Sequence, residues 1–485
     1  MGRRLGVLAL VGLLALAGCV SAPAPSTPAL PPSGMDPSPT ENPPPPPATD
    51  RLGWESGYWH NETLAVTTAD GLNRSELDAV IARAKARVEA IRGLEFQKPV
   101  PVEIISRKTF RERTGSDGSS IPTVQRLHQE VKFEALFFLG ESESAIRQQS
   151  QNTASSVMGY YNPRTHSITL ISNTRTPMHL NEITLAQELF HALQEQTFEI
   201  SELSAHTRET RNAKLGIIEG DANYVDYLYK QRYGGALIMP DGGGGSGGGG
   251  GGVHVGMLAL RLQPYSDGPV FVERIRRQSG WAGVNEVYER PPQSTEQTIH
   301  PAKYRVDEPV TVTIEDRSGP KWRVPDLGEG HVDYAKFGEA GLYVMLWYPS
   351  HVATVRSGQV TDVIIPYRHF FRTSDPVDTY NYSHPFSDGW EGDKLLPYIT
   401  NDSAATGETG YVWKIVWETT GDAREFRSAY EDLLAFHGAR QVAGNTYRIA
   451  EGPFADAFRV RRSGRTVIIV NAPTVEQLAA VHERP

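Results

Sequence analysis

Gln187, Glu188 and His191 have the residue types and spacing that point most directly to chemistry. They lie in the stretch 181–196, Asn-Glu-Ile-Thr-Leu-Ala-Gln-Glu-Leu-Phe-His-Ala-Leu-Gln-Glu-Gln. Residues four apart project from the same side of a helix, so Gln187 and His191 stand one above the other with Glu188 beside them. In H-E-x-x-H the two histidines bind zinc, and the glutamate is the base that activates the bound water. Here the base and the second histidine are present, while Gln187 occupies the first ligand position. An amide oxygen is neutral and a poorer donor to zinc than an imidazole. Losing even an outer partner of a ligand weakens metal affinity ~10–100-fold, so losing a ligand should cost more.

A bare E-x-x-H turns up about once by chance in a chain this long, so the neighbours matter. Ala186, Leu189, Phe190 and Leu193 recur at three- and four-residue steps and predict a helix with one buried face. The run Gly159-Tyr160-Tyr161, the turn at Asn162-Pro163 and the run 167–171 predict a hairpin just before it. Zinc peptidases hold extended substrates by backbone pairing on an edge strand in that place. A second helix, expected from about Leu215, carries Glu219, the natural source of a third ligand. Two histidines and a glutamate leave a fourth zinc position for water. The alternative for Glu219 is an acid stabilised by the helix dipole. His179 lies too far along the motif helix to replace the missing ligand, and His300 is the better rescue candidate. It would serve as a ligand or as a donor to an oxyanion; its bland reading is a structural loop histidine before Pro301. Tyr160, Tyr161 and Tyr304 are further donors whose simpler role is aromatic packing.

The elements that would position these groups begin after an amino-terminal leader. Arg3-Arg4 precede an apolar run from Leu5 to Ala17, too short for a comfortable membrane span, which reads as a secretory signal. Leu16-Ala17-Gly18-Cys19 resembles a lipobox, in which Cys19, the chain's only cysteine, is lipidated and becomes the mature N-terminus. A single cysteine used in this way excludes disulfides and cysteine-rich zinc sites. The Pro-, Ser- and Ala-rich stretch to about residue 51 is a stiff tether. Leu77, Val80, Ile81, Ala84, Val88 and Ile91 predict a helix capped by Ser75 and stopped by Gly93. Strands are expected at 100–106 and 310–314, helices near 127–139, 270–276, 284–288 and 338–347, and a polar loop at 291–304. The nearly pure glycine run 241–252 reads as a tolerated insertion. Beyond residue 410 a strand, a helix, three strands and a last helix near 474–481 make a small α+β region. The 485 residues and net charge of −9 allow two to three domains and leave no electrostatic footprint for nucleic acid.

The stretch 187–196 resembles the H-E-L-x-H-A-L-Q-D-Q helix of gluzincin-type metallopeptidase-like proteins, and Glu219-Gly-Asp-Ala222 is similar to their E-G-x-A helix. The likeness extends to the Pro292-Gln-Ser-Thr-Glu-Gln-Thr-Ile-His-Pro-Ala-Lys-Tyr304 stretch, to Gly389-Trp-Glu-Gly-Asp393 and to Trp413-Lys-Ile-Val-Trp417. With the lipobox and tether, the whole resembles surface lipoproteins of haloarchaea. The resemblance implies His191 and Glu219 as metal ligands, Gln187 on the first ligand position and Glu188 as base. The expected fold is α+β: signal 1–18, lipidated Cys19 and tether 19–51, a gluzincin-like domain 52–400, and a C-terminal α+β region 401–485. The expected location is the outer face of the cell membrane. The favoured function is a degenerate metallopeptidase-like protein that binds a peptide or envelope protein without hydrolysis. The runner-up is an active metal-dependent peptidase with a weakened zinc site of Gln187, His191 and Glu219. A purely structural envelope protein is the third.

Overall fold

The computed structural model describes residues 40, 42–66, 71–114, 121–172, 180–237, 253–372, 375 and 377–482. The expected signal, Cys19, most of the tether, His179 and the glycine run 241–252 lie outside them. The fold is mixed α+β, in two compact units that interleave along the chain. The first takes 1–115, 151–203 and 222–252; the second takes 116–150, 204–221 and 253–485.

In the first unit a three-stranded sheet has Ser167–Ser172 in the centre. Val102–Ser106 pairs with it in parallel, and Gly159–Asn162 pairs antiparallel as the expected hairpin. The turn closes as Asn162 Oδ1 accepts from the Arg164 N–H. Helix Arg74–Arg92 is capped by Asn73 rather than Ser75. Asn73 accepts from Glu76 N while Glu76 reaches back to Asn73 N. That reciprocal box uses two orphan amides, which a cap at Ser75 would not. Gly93 ends this helix at φ 72°, as expected. The motif helix, Glu182–Phe198, starts at Asn181, whose Oδ1 accepts from Ile183 N and Thr184 N.

The second unit is built on six antiparallel strands in the order Trp390–Ile399, Thr409–Trp417, Thr466–Ala472, Ala457–Ser463, Thr446–Arg448 and Arg440–Ala443. Helix Thr420–Phe436 lies over one face, where Trp413, Trp417, Phe426, Tyr430 and Leu433 are fully buried. Each such side chain contributes about 1.5–3 kcal/mol by leaving water. The other face packs Leu396, Val412, Val470, Leu478 and Val481 with Trp322. The boundary expected at 400 falls between the first two strands of this sheet.

Two local expectations fail for identifiable reasons. Residues 310–314 alternate in burial but form no strand; Val310 N donates to Glu391 O, and alternation reports side-chain burial, not ladder pairing. The polar loop 291–304 contains the short helix Thr295–Ile299. Ser294 Oγ accepts from Gln297 N, and Gln297 Oε1 accepts from Gln293 N.

Candidate functional site

The motif helix is held at both ends within the first unit. Glu182, at its start and fully buried, pairs with Arg83 Nη2 at 3.1 Å and Arg87 Nη1 at 2.6 Å. Tyr229 Oη donates to the same carboxylate at 2.6 Å. Arg87 also donates to His60 O and lies over the Tyr233 ring. Charges this deep persist only when every partner is in place. At the far end Gln196 accepts from Gln97 N and Lys98 N and donates to Lys98 O, tying the last turn to the segment before the Val102–Ser106 strand.

Between these anchors Gln187, Glu188 and His191 are buried together with Leu185, Leu189, Phe190 and Leu193. The His191 Nδ1–H donates to Gln194 Oε1 at 2.7 Å, one turn along the helix. That bond sets the tautomer and leaves the lone pair on Nε2. Burial pushes the His191 pKa down to about 4, so the ring is neutral at physiological pH. A neutral imidazole with its other nitrogen held by a hydrogen bond is how histidines are presented to metals. Gln187 differs: its buried Nε2 has no hydrogen-bond partner among the described residues.

The hairpin meets this helix directly. A methyl group at Gly159 would come within 2.9 Å of Leu170 Cδ2, 3.2 Å of Glu188 Cγ and 3.2 Å of Thr184 Cγ2. Gly159 therefore lets the backbone of an outer strand lie against the side chain of Glu188. Among the described residues nothing pairs with the other edge of Gly159–Asn162.

Glu219 lies on helix Arg208–Tyr233, 4% exposed, in the part that belongs to the second unit. Its neighbours have structural duties there. A Cβ on Gly220 would meet the Gly268 backbone at 2.5 Å, so two helices touch where neither has a side chain. Asp221 accepts from Tyr288 Oη at 2.8 Å. Thus the E-G-D-A stretch serves helix packing as well as any site.

His300 is also in the second unit, and its ring is committed there. Nε2 is 2.9 Å from Glu339 Oε1 and 3.6 Å from Asp388 Oδ1. Burial works against its charge, but the bonds to Asp388 and Glu339 prevail and raise its pKa to about 10. An imidazolium has no lone pair for a metal, so these contacts favour an ion-pair role over rescue of the missing ligand. The polar residues around it act likewise. Thr295 N and Oγ1 donate to buried Glu209, Gln263 Nε2 donates to Thr298 Oγ1, and Lys303 pairs with Glu296, Asp307 and Glu418. Asp393 accepts from Phe337 N, Gly338 N and Trp413 Nε1. Residues 292–304 form a buckle inside the second unit.

Residues 323–482 match a family model described as Domain of unknown function (DUF8575). The match takes in the six-stranded sheet, Glu339, Asp388 and Asp393, and it stops short of the motif helix. No curated protein and no solved structure matches the chain.

Zinc, the metal that an H-E-x-x-H helix implies, is a poor fit to these donors. Tetrahedral zinc takes nitrogen, sulfur or carboxylate ligands. The motif helix offers one imidazole lone pair and, at the first ligand position, an amide whose Nε2 has no partner among the described residues. No chemical step through a metal follows from this arrangement. Gln194 and Gly159 are the two positions that the sequence reading did not assign. The i, i+3 spacing of His191 and Gln194 is visible in the sequence; the contact of Gly159 with Glu188 is not.

Proposed function

We propose that this protein is a lipid-anchored, surface-exposed binding protein on a gluzincin-like core, which grips an extended peptide or envelope protein without hydrolysing it. The observation that carries the reading is Gln187: the helix keeps a base position and one prepared imidazole, and puts a neutral amide where the first imidazole belongs. The Gly159–Asn162 strand, lying against Glu188 with one edge open among the described residues, supports strand addition as the binding mode. Main-chain pairing there gives affinity, and pockets for alternate side chains give specificity. The lipobox-like Leu16-Ala17-Gly18-Cys19 supports anchoring through Cys19 at the outer membrane face, with the following tether as spacer. Among the described residues no helix is long and apolar enough to cross a membrane.

The preset His191 tautomer favours one second reading, a metal-dependent peptidase that tolerates Gln187, with Glu219 as third ligand and Glu188 as base. Elemental mass spectrometry on the native protein separates the two. The binding reading expects no stoichiometric zinc, capture of an extended peptide without cleavage, and unchanged capture in Glu188→Gln. Stoichiometric zinc with chelator-sensitive cleavage, abolished by Glu188→Gln, would replace it with the peptidase reading. In Gln187→His, gained zinc would show that the rest of the ligand geometry is preserved.

A further inference from the structure

Among the described residues, the second unit contains three clusters of acidic or histidine side chains in which one potential ligand atom from each member lies within 4.8 Å of the others. Two already hold a cation of the chain's own. In the Glu296, Asp307 and Glu418 cluster the Lys303 ammonium sits among the acids, 2.6 Å from Glu296 and 3.3 Å from Asp307. In the second cluster the ring of His300 is the positive member between Glu339 and Asp388. The third cluster, Glu134, Glu141 and Asp456, has no lysine, arginine or histidine within ion-pair distance among the described residues. Arg448, the nearest arginine by its electrostatic effect, spends its Nη1 on the carbonyls of Ala455 and Pro473.

The polar atoms around this third cluster are oxygen-rich and incompletely used. Thr409 Oγ1 donates to Glu134 Oε2 at 3.2 Å, and Asn471 Nδ2 donates to Asp456 Oδ2 at 2.9 Å. Asp456 and Asn471 are each 1% exposed, and among the described residues neither the Asp456 Oδ1 nor the Asn471 Oδ1 has a hydrogen-bond partner. An orphaned carboxylate oxygen at that depth is costly unless a proton or a cation meets it. Burial pushes the carboxyls of Glu134, Glu141 and Asp456 up; the neighbouring acids add to this at Glu134 and at Glu141, which reaches about 7, while at Asp456 the hydrogen bonds with Asn471 and Glu134 work against it.

We propose that Glu134, Glu141 and Asp456 bind one calcium ion, with Asn471 as the neighbouring amide. The donors are carboxylate, amide and hydroxyl oxygens, with no nitrogen or sulfur ligand in the cluster, which selects hard cations over zinc. Three carboxylates on irregularly placed segments suit the larger, geometrically tolerant calcium. Magnesium demands near-ideal octahedral geometry and keeps several waters. Glu134 closes helix Thr123–Ala135, Glu141 follows in the next turn, Asp456 precedes strand Ala457–Ser463 and Asn471 lies on Thr466–Ala472. The ion therefore staples the turn after a helix to the middle of the six-stranded sheet. The turn is already tight there: a Cβ on Gly140 would meet Pro453 Cβ at 2.4 Å, and Glu141 N donates to Pro453 O. This site is independent of the motif helix, and its ligands come from residues far apart in sequence.

The test is calcium titration of the chelator-stripped full chain, read by calorimetry and by the thermal unfolding midpoint. One calcium per chain should bind, and the midpoint should rise with calcium as mass action requires. The rise should be retained in Glu188→Gln, and equimolar zinc should not reproduce it. Glu134→Gln and Asp456→Asn should each lose the calcium-dependent rise while showing the wild-type circular dichroism spectrum without calcium. Glu141→Gln, at a half-buried position, should weaken calcium binding at least tenfold and serves if a buried variant does not fold. No rise in the wild type, or a rise that survives in all three variants, would overturn the site.

Discussion

Glu182 and Glu134 are both buried glutamates at helix ends, one in each compact unit, and they are neutralised in opposite ways. Glu182 receives two guanidinium groups and a tyrosine hydroxyl from within its own unit. Glu134 receives one threonine hydroxyl and faces two other acids. The first region needs nothing from solution, and it fixes the start of the motif helix. The second is complete only with a proton or a cation. Buried charge therefore marks two different things in this molecule: a structural lock where the counter-charge is covalently part of the chain, and a ligand site where it is not.

The largest effect should come from making the first region like the second. Arg87→Ala leaves Glu182 with Arg83 and the Tyr229 hydroxyl, and breaking a buried pair in this way costs about 3–5 kcal/mol. Urea unfolding of the first unit would read it; a loss below about 1 kcal/mol would mean that Arg83 and Tyr229 suffice. The His300 buckle comes next, because its charge depends on pH. Its folded pKa, about 10, lies above the ordinary histidine value, so its contribution is complete below about pH 6.5 and disappears as pH rises through about 10. At pH 7, His300→Ala should cost about 1.5–3 kcal/mol, the range for hydrogen bonds to charged groups. The gap between variant and wild type should close above pH 10, and a gap independent of pH would assign the loss to packing.

Asn181→Ala removes the cap of the motif helix and should cost about 1 kcal/mol, with no change in any calcium response. The smallest effect sharpens the contrast most. Without calcium, Glu134→Gln removes an acid that no cation of the chain balances among the described residues, so unfolding stability should stay within about 0.5 kcal/mol of wild type or rise. A loss as large as that of Arg87→Ala would show that the two regions are alike after all.

Much of the first unit is legible from local pattern. The apolar steps of Ala186, Leu189, Phe190 and Leu193 and the Asn181 cap describe the motif helix, and the alternation on either side of Asn162-Pro163 describes the hairpin. The short helix after Ser294 carries a Ser-x-x-Gln start that the reading of 291–304 as a loop passed over. The strand Trp390–Ile399 was not legible, since eight of its ten residues are buried and its pattern does not alternate.

The sequence by itself determined which side chains are available to the motif helix: one base, one imidazole, and an amide in place of the other. It also determined how they are spaced, because a helix makes neighbours of residues three and four apart. Only the tertiary structure decided what surrounds them. Arg83 and Arg87 reach Glu182 across more than ninety residues, Gly159 brings a strand onto Glu188, and Glu134 meets Asp456 from opposite ends of the second unit. Such pairings follow from burial shared by distant segments, for which local spacing has no signature. Whether a carboxylate is a lock, a base or a ligand is set by the charges that folding places beside it.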